Sequence, residues 1–175
     1  MTALASFNLA RWIEDNRDLL KPPMLNKPLW RDSGDFIVMI LAGPIVRNDY
    51  HDDPFEEFFF QLKGDMVLKV IEDGCHRDIP IREGGVFLLP PHMRHSPQRP
   101  EPGSIGLVVE RRRPAGVPDG FEWFCPDCAM LLHRCELHVS ELATARKKLF
   151  DGYYDDVANG TCPSCGAPNP KRLAA

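Results

Sequence analysis

Residues 51–64 read His51-Asp-Asp-Pro-Phe-Glu-Glu-Phe-Phe-Phe-Gln-Leu-Lys-Gly64, and residues 84–95 read Gly84-Gly-Val-Phe-Leu-Leu-Pro-Pro-His-Met-Arg-His95. Each couples a short apolar run to a proline or glycine turn, and each places histidine or acid beside that turn. The run 56–62 carries Phe58, Phe60 and Leu62 on one side and Phe59 on the other, which predicts an interior strand. Further runs at 36–41, 44–48, 67–71, 77–81, 85–89 and 105–110 have the same texture. They are broken by turn sequences such as Lys63-Gly-Asp65, Asp73-Gly74 and Pro100-Glu-Pro-Gly103. Many short strands without crossover helices predict an all-β, antiparallel sandwich or barrel.

The flanks differ from this centre. Leu9, Trp12, Ile13 and Leu20 share one side of a helix expected over residues 8–20, with Asn8 as its cap, and Pro22-Pro23 ends it. Residues 21–35 read as a loop. The composition changes at Arg111-Arg-Arg-Pro114, whose arginines are expected on a solvated face. A boundary near 115 would divide a barrel unit, 1–115, from an extension, 116–175. The extension is expected to hold strands around 121–124 and 131–139 and a helix over 141–150 capped by Ser140.

Composition narrows the function classes. The chain has 175 residues, 43% of them hydrophobic, enough for one core and a small appendage but too many for a disordered chain. Its 21 basic and 25 acidic side chains leave a net charge of -4, so general nucleic-acid binding is disfavoured. No apolar run approaches the roughly 20 residues of a membrane span. Trp12, Glu14 and Asp15 interrupt the place of a signal peptide, so a cytoplasmic protein is expected. In that reducing compartment, four of the six cysteines in two Cys-x-x-Cys pairs point to metal rather than disulfides.

The first candidate site is His51, Glu57 and His95. Two imidazoles and one carboxylate around a divalent ion leave one face of the metal open, the ligand set of non-haem ferrous oxygenases. His92 falls on the turn after Pro90-Pro91 and ranks below His95. Glu56 ranks below Glu57, whose six-residue gap to Gly64 fits better. His76, His133 and His138 read as packing or surface residues.

These strings resemble the two cupin motifs. The first motif, Gly-x5-His-x-His-x3–4-Glu-x6-Gly, is met by His51, Glu57 and Gly64, but Asp53 replaces its second histidine and its leading glycine is missing. The second, Gly-x5-Pro-x-Gly-x2-His, is met by Gly84, Pro90 and His95, with His92 in place of a glycine and Arg99 at the usual asparagine. Losing one histidine leaves a two-His-one-Glu set open to a bidentate substrate.

The resemblance narrows further. Lys21-Pro-Pro, Arg47-x-Asp-Tyr-His-Asp-Asp-Pro54, Phe87-Leu-Leu-Pro-Pro-His92, Arg94-His-Ser-Pro-Gln-Arg-Pro100 and Gly120-Phe-Glu-Trp resemble the 3-hydroxyanthranilate 3,4-dioxygenase family along nearly the whole chain. The terminal cysteine pairs resemble its bacterial members. The resemblance implies a cupin (jelly-roll) barrel, ferrous iron on His51, Glu57 and His95, and a homodimer. It also implies extradiol-type opening of 3-hydroxyanthranilate by O2 to 2-amino-3-carboxymuconate semialdehyde, which feeds quinolinate formation or aromatic catabolism. Arg47 and Arg99 are implied substrate contacts, suited to a ring carboxylate. Glu110 would meet the substrate's polar groups or its proton, Asn26 would lie in a loop over it, and Phe59 would line the pocket.

Cys125-Pro-Asp-Cys128 and Cys162-Pro-Ser-Cys165-Gly166 form the second candidate centre. Four thiolates in such turns bind zinc or a single iron, and the resemblance is to a rubredoxin-type site, read as structural. Cys75 and Cys135 read as free thiols. Competing readings are a non-catalytic cupin binder, a dioxygenase for another aminophenol or catechol, and a nucleic-acid-binding zinc ribbon. The last has only Lys147-Lys148 and Lys171-Arg172 as basic pairs near the knuckles.

Overall fold

A computed structural model of the chain describes residues 5–22, 25–138 and 142–173. The chain opens with helix α1 (Leu9–Asp15), capped by Asn8, whose side chain accepts from the Arg11 N–H. Helical geometry stops at Asn16, and Arg17–Leu19 tightens into a 3-10 turn, so the expected helix over 8–20 is broken in two. The strands follow as β1 (Asn26–Pro28), β2 (Phe36–Ala42), β3 (Tyr50–Asp52), β4 (Glu57–Lys63), β5 (Met66–Glu72), β6 (Cys75–Ile81), β7 (Val86–Leu89), β8 (His95–Gln98), β9 (Ile105–Arg111), β10 (Asp119–Phe124) and β11 (Leu131–Leu137). Helix α2 (Leu142–Asp155) and a second 3-10 turn close the chain. The expected Ser140 cap and the start of that helix at Glu141 lie outside the described residues.

Two antiparallel sheets face each other, in the orders β1-β2-β9-β4-β7 and β11-β10-β3-β8-β5-β6. This is the jelly-roll barrel of a cupin. Between the sheets lie Phe59, Met66, Leu68, Val70, Ile81, Leu89 and Val108, the main apolar core. Helix α1 covers Ile40 and Ala42 on β2 with Leu9, Trp12 and Ile13. A separate cluster of Phe121, Trp123, Leu137, Phe150 and Tyr153 joins α2 to β10 and β11, and the Trp123 and Tyr153 rings stack at 4.4 Å. Beyond residue 115, β10 hydrogen-bonds to β3 through Gly120, Phe121 and Glu122 and so continues the barrel sheet. Among the described residues no helix is long and apolar enough to cross a membrane.

Three local expectations fail. Residues 44–48 form no strand, because Pro44 has no N–H to give a ladder and Ile45 makes only a single bridge to Arg99. The loop over 21–35 contains the short edge strand β1, and the short strands β3 and β8, which carry His51 and His95, fall outside the runs expected as strands. Strand β4 is not apolar on both faces: its inward row is Glu57, Phe59 and Gln61, all buried, while Phe58 and Phe60 lie half-buried on the other side. A buried acid and amide on an interior strand need partners, and these form the site.

Candidate active site

Three strands bring His51, Glu57 and His95 together. His51 on β3 pairs in register with His95 on β8, their rings 5.1 Å apart, and Glu57 opens the inward row of β4. One ligand atom from each lies within 4.8 Å of the others. Glu56, one residue earlier, is exposed, and His92 sits outside the barrel on a positive-φ turn with its Nδ1 3.0 Å from Asp52. Both were ranked below their neighbours, and the geometry gives the reason: only Glu57 and His95 face inward.

The donor set suits a cation. His95 Nδ1 lies 2.9 Å from the Met93 carbonyl, an acceptor, which places the ring proton there and leaves Nε2 with a lone pair in the neutral ring. That Nε2 is 2.9 Å from Glu57 Oε2, yet the carboxylate oxygen has no hydrogen-bond partner. Two acceptors held this close repel unless a proton or metal ion stands between them. Burial opposes the charge on both groups, but Glu57 raises His95, and His95, His51 and Arg113 hold Glu57 below the usual carboxylate range, so without a metal a proton stands between the pair. Burial drives His51 down, in the direction of a neutral ligand. Its Nε2 lies 2.8 Å from Asp119 Oδ1, and Phe121 stacks on its ring at 5.3 Å. A carboxylate behind a ligating histidine fixes the ring and its tautomer.

The surrounding charges form a closed network. Arg113 is wholly buried and donates to Asp53 at 2.6 Å, Glu110 at 2.8 Å and Asp119 at 2.8 Å. The expectation that all three arginines of 111–113 are solvated is corrected here: Arg111 and Arg112 are exposed, but Arg113 turns inward to neutralise acids. Glu110 faces Glu57 across the β4–β9 ladder. Burial, then the charge on Glu57, pushes its carboxyl up to about 8. Burial likewise raises Asp53 to about 7. His51, Asp53 and Asp119 also cluster, but Arg113 already supplies their cation.

Of the two candidate carboxylate-binding arginines, Arg47 is ion-paired with Asp49. Arg99 is different. It is 2% exposed, and among the described residues its Nε has no partner and its guanidinium hydrogen-bonds only to the neutral Gln61 Oε1, at 3.4 Å. Desolvation pulls it down to about 10, and Glu57 opposes that pull through space. Phe59, 1% exposed, sits edge-on to His95 at 6.1 Å. Asn26 lies on exposed β1, separated from β4 by β2 and β9, and is not brought to the trio.

The four cysteines converge as well, all four sulfurs lying within 4.8 Å of one another. The two knuckles share one hydrogen-bond pattern. Cys125 and Cys162 donate their N–H groups to the carbonyls five residues on, Met130 and Ala167, and accept from Ala129 and Gly166 four residues on. Ala129 and Gly166 both take positive φ, which turns backbone N–H groups toward sulfur. Desolvation opposes ionisation of Cys162, but the N–H groups of Cys165 and Ser164 bring its thiol down to about 7. A closed tetrahedral shell has no position left for substrate. Cys128→Ser is expected to lower the melting temperature by about 10 °C, several kcal/mol for a chain of this size, while turnover per bound catalytic metal stays within about threefold. Loss of turnover at unchanged melting would contradict a structural role.

An antiparallel jelly roll with two histidines and a glutamate on its inner wall defines the class: a cupin with a candidate mononuclear metal centre. The family model for 3-hydroxyanthranilic acid dioxygenase matches residues 1–154. Over 170 residues the chain is 52% identical to a 3-hydroxyanthranilate 3,4-dioxygenase of Ruegeria pomeroyi, covering 97% of this chain and 94% of that one. It is 51% identical to one of Shewanella woodyi, covering 97% and 89%. Among solved structures it is similar to a cupin-2 domain protein of Shewanella frigidimarina, 16% identical over 57% of this chain and 92% of that one, TM-score 0.45. The chain belongs to the 3-hydroxyanthranilic acid dioxygenase family and is a dioxygenase.

Proposed function

We propose that this dioxygenase opens the ring of 3-hydroxyanthranilate with O2, using ferrous iron held by His51, Glu57 and His95. The observation that carries the reading is Arg99, a buried cation without an anionic partner within hydrogen-bond reach among the described residues, in the same barrel interior as the trio. Burying an unpaired charge is costly, and a ligand carboxylate would offset that cost on binding. When bound, ferrous iron on these three residues would supply open positions for the substrate's ortho hydroxyl and amine and for O2.

The chain's own groups do the rest. Arg99 takes the ring carboxylate through its fork, and this sets which edge of the ring faces the trio. Arg47, charge-balanced by Asp49, acts on Glu57 and His95 through space and offers the substrate a second cation. Glu110, whose buried carboxyl is raised to about 8, keeps its proton near neutral pH and offers it as a hydrogen bond to the substrate's polar groups without adding charge to the cluster. Phe59 walls the ring and excludes water. The four cysteines hold iron or zinc and staple residues beyond 115 to the barrel. The homodimer rests on the outward sheet face, where Phe36 and Leu88 are exposed in a cleft of about 510 Å³ rimmed by Asp35, Glu56 and Arg111, and Val86 is exposed as well; sedimentation as a monomer at micromolar concentration would count against it. Such thiolates fit a reducing cytoplasm.

The test is anaerobic loading with ferrous iron, then 3-hydroxyanthranilate and air. Equimolar loss of O2 and appearance of the ring-opened product's near-ultraviolet band is expected. Faster O2 uptake with another aminophenol or a catechol would overturn the substrate assignment.

A further inference from the structure

Deep in the barrel, the Gln61 side-chain amide has its orientation decided by its neighbours. Its Nε2 donates to the Lys63 carbonyl and to Ser104 Oγ, both at 2.9 Å, and that hydroxyl in turn donates to the Asp65 carbonyl at 3.1 Å. With both N–H groups used, Oε1 must face the Arg99 guanidinium. Gln61 is fully buried, and its strand partner across the ladder is Gly106.

Gly106 is required there for space. A Cβ on it would stand 2.2 Å from Arg99 Nη2, 3.1 Å from Cζ and 3.0 Å from Gln61 Oε1. The guanidinium therefore packs directly on the backbone of β9, in a seat that any side chain at 106 would fill. An acid at position 61 would pair with Arg99 permanently; an amide oxygen fixes its direction and leaves its charge for a ligand.

We propose that Gln61, braced by Ser104 and seated across Gly106, is the positioning residue that aims Arg99 at the substrate's carboxylate and sets the preference for carboxylated over uncarboxylated aminophenols. This rests on the reading of Arg99 given above. Gln61 touches no reacting atom; it acts through the arginine.

The experiment compares iron-loaded wild type with Gln61→Glu, Gln61→Met, Gly106→Ala and Arg99→Met. Two readouts are taken: kcat/KM for 3-hydroxyanthranilate relative to 2-aminophenol, and anaerobic equilibrium binding of each. Gln61→Glu is expected to lower the preference about 100-fold, through KM and Kd rather than kcat, by occupying Arg99 internally. Gln61→Met, which keeps the volume and removes the acceptor, should lower it about tenfold, and Gly106→Ala by a similar factor if it folds. If the Gln61 variants weaken both compounds equally while Arg99→Met abolishes the preference, the positioning role is wrong and the clamp stands. If Arg99→Met leaves the preference intact, the clamp itself falls, and the role of Gln61 with it.

Discussion

Glu57→Gln leaves a folded barrel that no longer retains ferrous iron through gel filtration, and its turnover falls by at least about a thousandfold. The glutamine keeps the shape of the side chain but removes the only carboxylate of the trio, so two imidazoles would have to hold a hard, divalent ion alone. His51→Ala and His95→Ala should act alike on metal content. Glu57→Gln has a second expected effect. The charge on Glu57 helps raise both Glu110 and Asp53, but His95, His51 and Arg113 hold Glu57 itself below the usual carboxylate range, so its ionised form stabilises the metal-free fold near neutral pH. Neutralising Glu57 gives up that ion pairing, and the apo variant should melt below apo wild type. Metal content measured by elemental analysis, beside melting of the apo forms, separates the two effects. A full equivalent of iron on Glu57→Gln would remove Glu57 from the ligand set.

The ligand trio was legible because it stands beside turn chemistry: His51 before Pro54, Glu57 with six residues between it and Gly64, His95 after Pro90-Pro91. The barrel was legible from the same punctuation. What escaped was polar and interior. Gln61 sits in an apolar run, and periodicity assigned that run two apolar faces, although an amide at an inward position needs the partners that Ser104 and Arg99 provide. Arg113 follows two exposed arginines, and nothing local marks the third as buried. Part of its signal was long-range: Glu110 and Asp119 stand three and six residues from Arg113, but Asp53 is 60 residues away, and the three acids meet only when β9, β10 and the end of β3 are placed. Asp119 lies just before the strand expected around 121–124, whereas it begins β10 and reaches His51. Charge pairing across strands far apart in sequence leaves no periodic trace, so the shell behind the ligands could not be read beforehand.

That shell makes Arg113 the position where substitution is expected to cost most in stability. Arg113→Met removes the cation shared by three buried carboxylates and keeps most of the packing volume. Breaking a buried pair by deleting one partner costs about 3–5 kcal/mol, which for this size lowers the melting temperature by about 10 °C or more. The loss should also depend on pH in a defined direction. Glu110 and Asp53 have folded-state values of about 8 and about 7, above their ordinary values of 4.5 and 3.8. A carboxyl raised on folding binds its proton more tightly in the native state, so its stabilising effect is complete at acid pH and is lost as pH rises through the folded value. Apo wild type should therefore lose stability between about pH 5 and pH 8 on account of these two groups. Without the guanidinium both rise further, and the slope steepens. The deficit of Arg113→Met is then larger at pH 8 than at pH 5.5, because protonated acids need no cation. Paired melting curves at the two pH values check this, and equal deficits would mean that Arg113 stabilises by packing rather than by charge.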